Sequence, residues 1–256
     1  MVDLNFATLD GLWWLLLILA PFLFFQRQLH FEIQSILLLL TKRSDLSIAC
    51  FSILFFPGVL LHESSHYLMA RLLQVRTGRL SLIPRPLSDG RVQLGYVETA
   101  KADIFRDALI GIAPLVAGGI MVAYAGMIQL GLSGIWDGNQ NLENGMLIQA
   151  FQSVYRRSDF WLWFYLIFTV SSTMMPSKSD RRAWLPVTLA AILLIGIGLF
   201  AGAGPWLVQN LAQPFNRALR SVSAVFSISL VIHLVLVIPM LIIRRILERL
   251  TGYRVS

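Results

Sequence analysis

Long apolar runs, rather than alternating ones, dominate this chain. Residues 11–26, 46–74, 107–131, 159–177, 184–203 and 222–243 hold few charges, and a bilayer crossing takes roughly 20 mostly apolar residues. The pattern predicts about six transmembrane helices. Lipid cannot satisfy open backbone groups, and barrel strands would show short alternating segments instead, so an all-α polytopic bundle is expected. The first run has no basic residue before it and no small-residue cleavage pattern after it, which reads as a retained span rather than a signal peptide. With no internal repeat or dividing linker, residues 1–256 form a single expected domain.

The polar connections are short. Between the first two runs, "FEIQSILLLLTKR" is apolar on one side with a basic end, which predicts a separate interfacial helix. After the second run, "GRLSLIP" and "RVQLGYVE" flank the turn-forming "RPLSDG", and the alternation of Val92, Leu94 and Tyr96 with polar residues or glycine predicts a small β-hairpin. Amphipathic helices are expected at 144–155 and 206–218. Trp136, Trp161, Trp163, Trp184 and Trp206 lie near predicted span ends, where indoles favour the interface.

Composition agrees with the pattern: 56% of residues are hydrophobic and 14% charged. The net charge of +7 is spread between spans rather than gathered in one stripe, which argues against nucleic acid. Arg71 to Arg106, Lys178 to Arg182 and Arg244 to Arg254 hold 14 of the 21 basic residues and share one face of a six-span arrangement. The positive-inside rule makes that face, both termini and the hairpin cytoplasmic, in a multi-pass protein of the cell membrane. Arg27, Lys42 and Arg43 then fall on the outer side, against the rule. Cys50 is the only cysteine, so the chain has neither an internal disulfide nor a cysteine-rich metal site.

Within the second run, His62, Glu63 and His66 spell H-E-x-x-H. Positions 62 and 66 project almost along one line of a helix, so both imidazoles can hold one ion. Glu63 sits one step round, able to reach a metal-bound water without binding the metal. Zinc suits two imidazoles and a carboxylate with one open position, and acidifies its water to a pKa of about 7. Glu63 would take a proton from that water and return it to a leaving amine. Three such groups in an apolar helix point to function. Counted along a straight helix from Leu46, His62 lies ~24 Å in, nearer the cytoplasmic face.

A third ligand is needed. His30 is expected at the interface on the opposite side, and His233, alone in the last run, reads as a hydrogen-bonded structural residue. Asp103, Asp107 and Asp180 are carboxylates at span ends on the correct face. Asp180 follows "SSTMMPSKS" at the depth of the histidines; Ser177 and Asp180 also have the spacing of a helix cap. Asp107 opens a span, where a carboxylate suits a helix N-terminus without metal.

The chain resembles the site-2 proteases, zinc metalloproteases that cut substrates within the membrane. The likeness rests on "PGVLLHESSHYLMARLL", the hairpin after it, "GIAPLVAGG" in the next span and "MMPSKSD" ending the fourth, over residues 46–182. It implies that His62 and His66 are ligands, Glu63 the base and Asp180 the third ligand. Two places depart from the family's pattern: no asparagine follows Pro114, and Arg181 stands where glycine is common after the aspartate. The expected function is an intramembrane zinc metalloendopeptidase acting on a transmembrane or membrane-anchored protein near the cytoplasmic face. The hairpin strand from Arg91 to Glu98 offers an edge for a locally extended substrate. The alternatives are a membrane H-E-x-x-H metalloprotease of another type, which takes a downstream glutamate as third ligand although none of Glu98, Glu143 and Glu248 stands in a recognisable motif for it, or a catalytically silent metal-binding scaffold.

Overall fold

The computed structural model describes residues 10–86, 92–132, 152 and 154–255. It is mostly helical. Helix α1, Asp10–Thr41, runs unbroken for 32 residues. The first expected span and the interfacial helix are therefore one element, because nothing between Gln26 and Thr41 stops a helix: this stretch has neither glycine nor proline. Helices α2, Ser44–Leu54, and α3, Phe56–Leu72, follow. They meet at a bend of 71°. Pro57 explains it, lacking the N–H that a continuous helix would direct to Ile53 and crowding that carbonyl. The straight-helix depth count for His62 does not survive this bend.

The predicted hairpin is present. Strands β1, Thr77–Ser81, and β4, Tyr96–Thr99, pair antiparallel with an irregularity between Thr77 and Leu80; β2, Arg85–Pro86, and β3, Val92–Gln93, pair farther out. Helix α4, Ile104–Ala123, continues through a wider π-turn at Tyr124–Gln129. The Asp103 carboxylate caps it, accepting from the Phe105 and Arg106 N–H groups at 3.1 Å each. These backbone bonds, that from Arg106 foremost, hold its carboxyl below the usual range. Helices α5, Phe160–Thr173, and α6, Trp184–Phe200, precede a short α7, Gly204–Leu207, a π-turn at Val208–Ala212 and α8, Gln213–Thr251. The expected amphipathic helix at 206–218 is thus the start of a longer one. Trp136 and most of 144–155 lie outside the described residues.

Among the described residues, three helical stretches are long and apolar enough to cross a membrane: 10–41, 104–129 and 204–251. The bent α2–α3 pair makes a fourth if it is one span. Helices α5 and α6, 14 and 17 residues long, are apolar but shorter than the six-span expectation requires. Helix α6 buries none of its residues, and Phe200 is 97% exposed. Such a surface suits lipid rather than water.

Helices α1 and α8 pack along their length and run parallel. Asp10 meets Asn216 and Arg220 at one end, Phe22 stacks on Phe226 and His233 midway, and buried Glu32 pairs with Arg244 near the other. If both helices cross the bilayer, the described ends Asp10 and Val255 lie on opposite faces, contrary to the expectation of two cytoplasmic termini. Lys42 and Arg43 then join Arg244, Arg245 and Arg249 at one face, which removes their conflict with the positive-inside rule. The bent pair, which starts near that face, is then a broken span or a re-entrant loop. In a Cys50→Ser background, cysteines placed at Lys42 and Gly252 should react with an impermeant maleimide from the same side of sealed vesicles, and one at Asn210 from the other. Lys42 and Asn210 labelling from one side would refute the parallel crossing.

Candidate metal centre

The centre begins with a spacing of four on α3. His62 and His66 point the same way, with Nε2 atoms 3.2 Å apart. Each ring is oriented from behind. His62 Nδ1 donates to the Thr173 carbonyl at 2.7 Å, and His66 Nδ1 to the Ile110 carbonyl at 2.8 Å. A carbonyl only accepts, so each neutral ring carries its proton on Nδ1 and turns the Nε2 lone pair toward the other.

Chain chemistry explains why those two carbonyls are open. In an unbroken helix Ile110 would receive the N–H of residue 114, but residue 114 is proline and has none. Thr173 ends α5; three residues on stands Pro176, and four residues on the Ser177 N–H goes instead to the Asp180 carboxylate at 2.7 Å. Pro176 similarly removes the helical donor for Ser172, whose carbonyl accepts from Gln26 Nε2 at 2.7 Å.

Asp180 completes the group. Its Oδ1 lies 3.4 Å from His66 Nε2 and its Oδ2 3.9 Å from His62 Nε2. Its turn is closed reciprocally, Ser177 N–H to Asp180 Oδ2 and Asp180 N–H to Ser177 Oγ, so the expected capping pair exists but in a turn rather than a helix start. Helix α4 supports this turn at Gly111, where a Cβ would lie only 2.0 Å from the Asp180 carbonyl oxygen. Burial alone would favour the neutral acid. The Ser177 N–H, donating to Oδ2, works against it and stabilises the carboxylate. Two imidazole nitrogens and a carboxylate converge on one point, and His62, His66 and Asp180 could hold a metal ion.

Glu63, 7% exposed, lies beside the group without belonging to it. The hairpin covers it at Gly95, where a Cβ would come within 2.8 Å of Glu63 Cγ. These residues line a cavity of about 420 Å³, with Gln93 to Val97 of the hairpin on one wall.

The other sequence candidates separate. Asp103 is a helix cap, and Asp107 accepts from Arg182 at 2.8 Å, tying α4 to the turn that carries Asp180. Glu98 accepts from the Arg79 N–H on the hairpin, and Glu248 pairs with Arg244; neither joins the histidines, and Glu143 lies outside the described residues. His233 donates from Nδ1 to the Ser229 carbonyl and meets Ser172 at Nε2. His30 is not on the opposite side of the protein: α1 runs on past the expected end of the first span and brings it into the wall of the same cavity. Sequence reasoning missed the supporting carbonyls and glycines, although Pro114, four residues beyond Ile110, and Pro176, three beyond Thr173, were a readable signal.

No family model, curated protein or solved structure matches this chain.

Two outcomes follow for the purified protein. Pro114→Ala returns a helical donor to Ile110 and competes with His66, so metal affinity should fall about 10–100-fold, as for the loss of other orienting partners; unchanged affinity would show that Ile110 serves both donors. Asp180→Ala should lose its metal, whereas Asp107→Asn, which breaks only a half-exposed pair, should keep it. Metal content measured by mass spectrometry separates the two, and stoichiometric metal in Asp180→Ala would move the third ligand elsewhere.

Proposed function

We propose that this protein is an intramembrane zinc metalloendopeptidase of the site-2 protease type, cleaving a transmembrane or membrane-anchored protein near the cytoplasmic face. The observation that carries the reading is Glu63. It stands buried next to a three-ligand group without contributing to it, which a site serving metal retention alone would not need.

Zinc fits the donor set. Bonds of about 2.0–2.1 Å in a tetrahedron separate neighbouring ligand atoms by about 3.3 Å, and the spacings here are 3.2, 3.4 and 3.9 Å. Neutral imidazoles and a charged carboxylate are the ligand types zinc accepts, and three of them leave a fourth position open. When bound, zinc supplies Lewis acidity, polarising a carbonyl and bringing the pKa of a water to about 7.

The chain's own residues do the rest. Glu63 accepts the proton of the attacking water on its carboxylate as the C–O bond forms. It delivers that proton to the amide nitrogen as the C–N bond breaks, so the peptide and one water become an acid and an amine. The Thr173 and Ile110 carbonyls hold His62 and His66 in the ligating tautomer throughout. The hairpin wall, Gln93 to Val97, suits a substrate drawn into extended form, because main-chain bonds to a strand replace those the substrate helix gives up.

Orientation supports cleavage near the cytoplasm. The cavity reaches Gln34 on α1, about 10 Å along the helix from Thr41, and the basic end of the α1–α8 pair lies there. The positive-inside rule places that end in the cytoplasm.

Membrane fractions offering candidate substrates, incubated with the wild type and with Glu63→Gln, test the proposal. Glu63→Gln should retain stoichiometric zinc and lose roughly 10²–10⁴-fold in cleavage rate. Cleavage at the wild-type rate would end the peptidase reading and leave a metal-binding scaffold.

A further inference from the structure

His30 differs from His233, the fully buried histidine of the bundle. His233 has both ring nitrogens engaged, with Ser229 and Ser172. The His30 ring is held edge-on between Phe51 and Phe55, at centroid distances of 5.7 and 5.0 Å. Its Nε2 is buried and meets no hydrogen-bond partner among the described residues. An orphaned donor or acceptor inside a protein is costly and calls for an explanation.

The surroundings narrow what could satisfy it. His30 and Gln34, one turn apart on the same face of α1, line the cavity that also holds Glu63 and the metal centre. His30 is not a ligand, since the group with converging ligand atoms is His62, His66 and Asp180. The cavity's 420 Å³ lies within the usual range for ligand pockets, about 300–1,000 Å³. A helix with its side chains is about 10 Å across, so this space favours a short extended segment.

An extended segment has a specific need. Pairing with a strand satisfies the main-chain groups along one of its edges only, and the other edge keeps N–H and C=O groups that need partners. An imidazole nitrogen and a primary amide together provide donor and acceptor for those groups.

Resting on the peptidase reading, we infer that His30 and Gln34 form a main-chain subsite, binding the peptide backbone beside the scissile bond on the edge turned away from the hairpin. Phe51 and Phe55 keep the imidazole in place for it.

Hydroxamates separate the metal from the subsite, because acetohydroxamate engages the metal alone whereas a tripeptidyl hydroxamate adds backbone. Affinities of both are measured by calorimetry on the full-length, zinc-loaded protein in detergent. The wild type should bind the peptidyl compound more tightly. His30→Phe, which keeps an aromatic ring between Phe51 and Phe55, should lose about threefold to tenfold of that margin, the effect of one hydrogen bond. Gln34→Leu should do the same, and His30→Gln should recover part of it. Zinc content and acetohydroxamate affinity should stay at wild-type values. An unchanged margin in both His30→Phe and Gln34→Leu would overturn the subsite, leaving His30 a packing residue between Phe51 and Phe55. A parallel fall in zinc and acetohydroxamate affinity would overturn it too, making His30 a support of the metal centre. If the zinc-loaded wild type bound no acetohydroxamate at all, the peptidase reading itself would fall, a result distinct from either.

Discussion

The centre depends on backbone carbonyls that have no helical donor. Ile110 is left open by Pro114, and Thr173 by the end of α5 and by Pro176. In an apolar interior such carbonyls must find other donors, and here they find His66 and His62. The same bonds that satisfy the backbone choose the imidazole tautomer and aim both Nε2 atoms at one point. Asp180 takes part in this arrangement before any ion does, because its carboxylate holds the Ser177 N–H that would otherwise reach back toward Thr173. Helix breaks, commonly read as weak points, are here the source of the ligand geometry.

Close backbone approach does the remaining positioning. Gly58 lets α3 come so near α5 that a Cβ would lie 2.3 Å from the Thr169 carbonyl oxygen, and this brings His62 within reach of Thr173. Gly111 admits the Asp180 turn in the same way, and Gly95 admits the hairpin over Glu63. The small residues of "GIAPLVAGG" permit tight helix packing as such residues do in membranes. One of them is also the seat of a ligand-bearing turn.

How much of this the sequence disclosed depends on the range of each interaction. His62, Glu63 and His66 are legible because their geometry is local, set by a helical repeat and a spacing of four. Asp180 is more than a hundred residues away, so spacing could not choose it over Asp107, and it was favoured by the helix-start reading of Asp107, the polar residues before it and the family resemblance. Hydropathy marked the apolar segments well but carried no information on their partners. The parallel packing of α1 with α8, and with it the side on which Lys42 lies, is decided by Asp10 with Arg220 and Glu32 with Arg244, pairs more than two hundred residues apart. The sharp break between α2 and α3 was missed for another reason: Pro57 removes one helical donor, which a mild kink would also accommodate, and a bend of 71° depends in addition on what packs against both halves.

The buried polar groups show what the bundle spends its hydrogen bonds on. Gln26 reaches Ser172, Tyr165 donates to the Leu54 carbonyl at the α2–α3 break, His233 joins Ser229 and Ser172, and Glu32 pairs with Arg244. Each bond but that from His233 to Ser229 links two different helices. An apolar interface alone tolerates rotation and sliding, whereas an unmet polar group inside it is costly, so such bonds fix the register of one helix on another. They converge on α5, which carries Thr173, and on α1, which carries His30. Helix α6 buries no residue. Helices α1 and α5 both line the cavity, so these bonds fix two of its walls, and among the described residues the buried side-chain nitrogen without a partner is His30 Nε2, on a residue of one of those walls.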